Sequence, residues 1–177
     1  MIRVSSPMTD SPANYKNELQ FLVYKTLNEL HIPYQRVETD EVITMEDCAA
    51  VNEVLQMNMV KTLFLCTRNQ QDLYLFVTAG NKRFDSKWFS RELGVARVSF
   101  APEESMHKLL GTNIGAATVF STLLSSAKEV QLIFDKDVLK EEYYGCSDGT
   151  TTGYMKILTK DITKKLLPAI GRSFTSI

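Results

Sequence analysis

Six consecutive residues, Val60-Lys61-Thr62-Leu63-Phe64-Leu65, restrict this chain more than any other stretch. They form an apolar, β-rich run, answered after the polar connector 67–72 by Leu73-Tyr74-Leu75-Phe76-Val77. Two such runs read as a hairpin, and strands this apolar belong in the middle of a sheet. Lys61 is the exception within the run. Stripping water from an unpaired ammonium is costly, so its side chain either snorkels to solvent or faces something anionic.

The flanking pattern supplies the rest of the domain. Ser11-Pro12 is a cap and first-turn pair ahead of Leu19, Leu22, Val23, Leu27 and Leu30 at helical spacing, which predicts a core-facing helix ending near His31-Ile32-Pro33. Tyr34 to Glu38 reads as a short strand, and Thr44-Met45-Glu46-Asp47 as a capping box opening a helix to about Leu55. After the hairpin at 60–78 and the Gly80-Asn81 turn, a helix is expected from Phe84 to Leu93, stopped by Gly94. Phe84 and Trp88 share one face of it, while Arg83, Lys87 and Arg91 recur every four residues on another. Ala96 to Phe100 reads as a strand, and Pro102-Glu103-Glu104 starts a helix through Leu110 that Gly111 ends. Beyond a small-residue loop, Gly111 to Phe120, the expectations are a strand at Val130–Phe134, a Gly/Thr-rich loop at Tyr143–Gly153, and a strand at Tyr154–Leu158. A last helix, Asp161–Leu167, is expected to stop at Pro168. Hairpins mixed with helices predict an α/β (α+β) domain with a mixed, largely antiparallel sheet and flanking helices. One domain is expected over 11–170, with loose tails at 1–10 and 171–177.

Composition narrows the chemistry. No apolar run in the 177 residues approaches the roughly 20 needed to span a bilayer. The first twelve residues have no apolar signal core, so a cytoplasmic location and reduced cysteines are expected. A net charge of −1 argues against gripping DNA or RNA by bulk charge, so an RNA partner would have to meet a local patch. Cys48, Cys66 and Cys146 form no CxxC pair, and with only His31 and His107 beside them neither a metal site nor a metal cofactor is expected. Cys146 is the one cysteine expected in a loop, and a thiol enzyme built on it is the weakest of three functional readings. G-x-S-x-G, P-loop, dinucleotide and HExxH patterns are all missing. What remains is Lys61, the Gly111–Phe120 loop and the Gly145–Thr152 loop, which together would make a cavity of backbone donors with one cation and one carboxylate.

The order of these segments resembles the YbaK and prolyl-tRNA-synthetase-associated editing domains, among them free-standing proteins that hydrolyse Ala-tRNA(Pro). The resemblance runs from about Leu27 to Ile162. It rests on Leu30-His31-Ile32-Pro33-Tyr34, Thr44, Val60 to Leu65, Gly80-Asn81-Lys82-Arg83-Phe84-Asp85, Leu93 to Phe100, the Gly111–Phe120 loop, and Asp148 with Thr151-Thr152. It implies that Lys61 is the signature lysine of an editing pocket. It also implies that Gly115-Ala116-Ala117-Thr118-Val119 is the family's Gly-x-x-x-Pro loop, holding the ester carbonyl and the water. On this reading Lys61, Gly115 and Ala116 are the catalytic group, with Thr44, Thr62, Thr118, Asp148 and Thr151 around the substrate. Thr44 is equally explained as a helix cap, and Asp148 as either a ligand for the substrate's amino group or an Asx-turn residue. Lys82, Arg83, Lys87 and Arg91 are the candidate tRNA contacts, the stripe being otherwise a solvated helix face. The implied partner is the acceptor end of an aminoacyl-tRNA, with no membrane, no DNA and no cofactor; the oligomeric state is left open. Four positions depart from the family pattern: Val119 stands for its proline, Thr39 for its histidine, Thr62 for its asparagine, and Tyr144 begins a changed late motif. They leave a second reading, a degenerate member that binds tRNA or an amino acid without hydrolysis.

Overall fold

Residues 2–42 and 44–177 are described by the computed structural model. The first helix, α1 (Glu18–Glu29), buries Leu19, Val23 and Leu27 as one stripe. It begins later than the Ser11-Pro12 pair suggests. Asn17 is its cap, accepting from the Gln20 amide at 2.8 Å, whereas the Ser11 hydroxyl is engaged by Tyr34 and Asn28. β1 (Gln35–Glu38) and α2 (Cys48–Leu55) follow. Ahead of α2 the capping box forms as a reciprocal pair: the Thr44 amide donates to Asp47 Oδ2 at 3.1 Å, and the Asp47 amide to the Thr44 hydroxyl at 3.2 Å.

The hairpin is β2 (Val60–Thr67) with β3 (Leu73–Ala79), antiparallel, with Lys61 opposite Thr78 and Phe64 opposite Leu75. α3 (Ser86–Leu93) is capped by Asp85 and ends on Gly94 at φ 69°, a left-handed conformation that glycine adopts without strain. β4 (Val98–Phe100) leads into α4 (103–110), which starts as Glu103–Ser105 and widens to a π turn over Met106–Leu110. Two 3₁₀ turns, Val119–Leu123 and Ser125–Ala127, precede β5 (Val130–Phe134) and α5 (Lys136–Lys140). The chain closes with β6 (Tyr143–Ser147), β7 (Gly153–Leu158), α6 (159–169) and β8 (Thr175–Ser176).

These strands make a five-stranded mixed sheet, β4-β2-β3-β5-β8, and a three-stranded antiparallel sheet, β1-β7-β6. β2 therefore lies inside its sheet, as its composition requires. Alternation sends Leu63 and Leu65 to one face with Tyr74 and Phe76, where α3 covers them with Phe84, Trp88 and Phe89. Phe64, Leu75, Val77, Leu132 and Phe134 face the main core, shared with α1, α6 and the inner side of the second sheet. The outer side of that sheet, Val37 and Tyr154, is closed by α2 through Val51 and Leu55. Among the described residues no helix is long and apolar enough to cross a membrane.

Three expectations are corrected. Residues 143–147 are strand β6 rather than loop, because Tyr144 and Cys146 point into the main core while the ladder to β7 satisfies the backbone. Pro168 does not stop the last helix; the π turn Ile162–Leu166 just before it loosens the hydrogen-bond ladder where the missing proline N–H would fall. The tails are tied to the body: Val4 and Met8 bridge to Thr39 and Arg36, and β8 pairs with β5, burying Ile177. Phe64 sits where the two sheets meet the edge of β2, at 1% exposure. Phe64→Ala is expected to lower stability by about 3–5 kcal/mol, read as a shifted urea midpoint with unchanged slope.

Candidate functional site

β4 is only three residues long, and it pairs with β2 at Leu65, Cys66 and Thr67 alone. One further bond, from the Ala101 amide to the Phe64 carbonyl at 2.9 Å, closes that side. Between this pairing and an isolated bridge from Met59 to Gly145 of β6, β2 has no ladder partner on this edge, and a cavity of about 400 Å³ opens there, a usual size for a small-ligand site. Lys61, Thr62 and Leu63 form its floor, and Gly115 and Ala117 come to it from the loop after α4. Met45, Met59, Met106, Ile114 and Phe100 make an apolar wall, and Glu103 is the acidic lining residue.

Lys61 lies on the α3 side of the sheet with Leu63, half-buried. Its ammonium donates to the Lys82 carbonyl in the turn after β3. Burial holds its pKa below the ordinary lysine value. An ammonium has three N–H donors and this contact uses one, so the group remains able to hold an anion or a sugar oxygen. Thr62 points the other way, toward β6, where its side chain counters the burial that raises the Tyr144 phenol well above its usual value.

Gly115 has φ 87°, a region in which a side chain would be strained. The turn it makes is closed by the Ala116 amide, which donates to the Asn113 carbonyl at 3.1 Å. Ala116 is thus buried with its amide engaged, and it faces a different cavity, shared with Lys16, Thr112 and Thr151. Gly115 and Ala117 line the site proper, and neither amide has a protein acceptor among the described residues. A pair of free amides on one loop is the chemistry that receives an oxyanion.

The structure brings Lys61, Thr62 and Gly115 to one cavity and sends the other candidates elsewhere. Thr118 is fully buried and donates to the Ser147 carbonyl at 2.9 Å, tying the loop to β6. Asp148 is 1% exposed beneath the loop, its carboxylate accepting from Gln20 Nε2 at 2.8 Å, the Tyr24 hydroxyl at 2.9 Å and the Thr150 hydroxyl at 2.8 Å. It organises the 148–153 turn and does not line the cavity. Thr44 is taken up by capping, while its neighbour Met45 is the lining residue. The Thr151 carbonyl accepts from the Val42 amide, and its hydroxyl donates to Glu41. Lys82 is clamped by Asp135 at 2.8 Å and by Asp137, and the ammonium groups of Lys82 and Lys140 on Asp137 hold its carboxyl down at about 2. Arg83, Lys87 and Arg91 do line one groove on α3, together with Phe76, Phe84 and Trp88. Arg91 pairs with Glu92 at 3.3 Å; Arg83 and Lys87 have no ion pair among the described residues.

Sequence reasoning missed the wall. Met45, Phe100, Glu103, Met106 and Ile114 lie on segments far apart in the chain, and each looks ordinary where it stands; Glu103 reads as a first-turn acid. No cysteine or histidine lines the cavity. Cys146, expected in an exposed loop, is 2% exposed on β6, and burial pushes its thiol far above the reactive range; Cys48 is pushed up to about 11. Ser147 does line it, but its hydroxyl donates to the Thr150 carbonyl at 2.6 Å and no base stands beside it. Among the described residues no group of three or more His, Cys, Asp and Glu is placed to hold a metal.

A lysine and a left-handed glycine turn thus meet on one largely apolar cavity that no cysteine or histidine lines. The chain belongs to the aminoacyl-tRNA editing domain family, whose pattern it matches over residues 39–165. Among curated proteins it is similar to the prolyl-tRNA editing protein ProX of Acetoanaerobium sticklandii, 28% identical over 155 residues, which are 88% of this chain and 94% of that protein. Among solved structures it resembles a candidate trans-editing enzyme for prolyl-tRNA synthetase at TM-score 0.64 and 19% identity, over 92% of this chain and 98% of the other. It also resembles the hypothetical protein APE2540 at TM-score 0.68 and 17% identity, over 88% and 97% of the two chains. At these identities both structures bear on the fold alone.

Two substitutions separate support from chemistry. Asp148→Asn is expected to lower stability by about 1–3 kcal/mol, read by thermal melting, while the folded enzyme keeps its deacylation rate. Cys146→Ala is expected to retain activity, and iodoacetamide at pH 8 to leave the folded wild type active.

Proposed function

We propose that this domain removes the acyl group from mischarged tRNA(Pro) in trans, with Ala-tRNA(Pro) as substrate and alanine as the amino acid released. The observation that carries the reading is that Lys61, Gly115 and Ala117 line one largely apolar cavity while neither loop amide has a protein acceptor among the described residues. The relative named as a prolyl-tRNA editing protein supports the choice of tRNA.

An aminoacyl ester on ribose is already activated, so the site needs only to orient water and stabilise charge. The ester carbonyl lies against Gly115 and Ala117, whose amides receive the oxyanion as water adds to the carbon. Lys61, anchored by the Lys82 carbonyl, holds the phosphate or sugar of the terminal nucleotide and adds positive charge near the centre. Glu103 takes the substrate's α-ammonium, the role that buried Asp148 is not placed to fill. The tetrahedral adduct collapses by releasing the ribose oxygen. That oxygen gains the proton lost by water, directly or through the neighbouring hydroxyl, and the products are free amino acid and intact tRNA. Thr62 and the methionine wall bound the acyl group, so selection is by size. Lys87 and Arg91 on α3, with Arg83 just before it, give the cationic surface for the tRNA, with Lys82 as their fixed root.

The departures from the family pattern weigh little against hydrolysis. Val119 and Tyr144 are fully buried, Thr39 bridges to the amino-terminal segment, and of the four only Thr62 lines the cavity. In a deacylation panel of Ala-, Cys- and Ser-charged tRNA(Pro), the alanyl ester is expected to turn over fastest, and Lys61→Ala to reduce kcat/KM about 10–100-fold. Binding without turnover of any member would replace this reading by that of a non-hydrolytic tRNA-binding module. The pair Arg83→Glu with Lys87→Glu is expected to raise KM for the full tRNA about tenfold and to leave a minimal alanyl-adenosine substrate unchanged; equal KM values would remove α3 from the interface.

A further inference from the structure

Phe100 is 63% exposed, the most exposed of the large apolar side chains, and it stands at the rim of the catalytic cavity. It is the last residue of β4, so the end of that strand both opens the cavity and places this ring at its mouth. Its ring lies 5.7 Å from that of Phe84 at an interplanar angle of 55°. Phe84 in turn lines the α3 groove with Arg83, Lys87 and Trp88. The two cavities are thus joined by a pair of aromatic rings, with an apolar acyl pocket on one side and, on the other, a groove in which Arg83 and Lys87 have no ion pair among the described residues, Lys82 and Arg91 are paired, and Asp85 and Asp135 also line the wall.

From this continuity we infer that Phe100 is the stacking platform for the terminal base of the tRNA, and that the groove beyond Phe84 takes the preceding phosphates. The inference rests on the editing reading above and adds a base subsite to it. An exposed ring beside a cationic groove is how proteins hold unpaired RNA ends without reading sequence, because every base offers a π-face and every nucleotide a phosphate. The geometry also orders the substrate: acyl group among the methionines, ribose near Lys61 and Gly115, base on Phe100, backbone toward Arg83 and Lys87. Phe84 holds the platform from behind through its own contact with Phe89, 6.1 Å between centroids.

The test uses an uncharged CC-2-aminopurine trinucleotide, whose fluorescence falls when the terminal base stacks. Wild type is expected to quench it saturably. Phe100→Ala is expected to raise the midpoint about tenfold, about 1.4 kcal/mol, and Phe100→Trp to restore it. Because the side chain is largely exposed, the alanine variant is expected to melt within a few degrees of wild type, which separates lost stacking from lost fold. A companion measurement compares hydrolysis of alanyl-adenosine with that of an alanyl ribitol ester lacking the base. Wild type is expected to favour the former about tenfold, and Phe100→Ala to treat both alike. Quenching or base preference unchanged in Phe100→Ala would overturn the inference, as would absence of quenching in wild type. Phe100-dependent quenching with hydrolysis of neither ester would instead uphold the base subsite and sink the editing reading.

Discussion

The site depends on an incomplete ladder. β2 is buried over Phe64–Thr67, partly buried over Val60–Leu63, and flanked by β3 almost along its length, but β4 reaches only as far as Leu65. A strand edge inside a sheet is normally either paired or covered, since bare N–H and C=O groups attract another chain. Here the loop carrying Gly115 and the segment around Met45 cover it at a distance, and the space between is the cavity. A longer β4 would complete the sheet and abolish the site.

The second constraint is the set of bonds that hold the loop behind the cavity. Thr118 fastens it to β6, and Asp148 gathers Gln20, Tyr24 and Thr150 under the neighbouring turn. Such buried, fully partnered polar groups fix a local geometry that apolar packing alone would leave loose. The side chains that meet substrate rest on others that never see it.

Much of this was legible in the sequence because it follows from period and punctuation. The apolar runs, the glycines at 94 and 111 and the Thr44 box all act within a few residues of themselves. What was not legible is tertiary. Residues 143–147 look like loop because glycine, serine and cysteine have weak strand preference, yet burial of Tyr144 and Cys146 decides for β6. Ala116 and Asp148 sit in the right motifs, but whether an amide or carboxylate is free depends on partners contributed by Asn113 and by α1. Lys61 was singled out as an unsolved charge in an apolar strand; that it is held by a carbonyl of the next turn is visible only in three dimensions.

Three methionines in the wall give the domain a property of another kind. Met45, Met59 and Met106 reach the cavity from three separate segments, and an unbranched thioether can adopt several shapes at little energetic expense. The floor of the cavity is built on strand β2 and the Gly115 turn, whereas these wall side chains are free to change shape. On the proposed reading, exchange of one wall side chain would retune which amino acid is admitted without disturbing the residues that cleave it, so substrate range and catalysis would be separately adjustable within a single small fold.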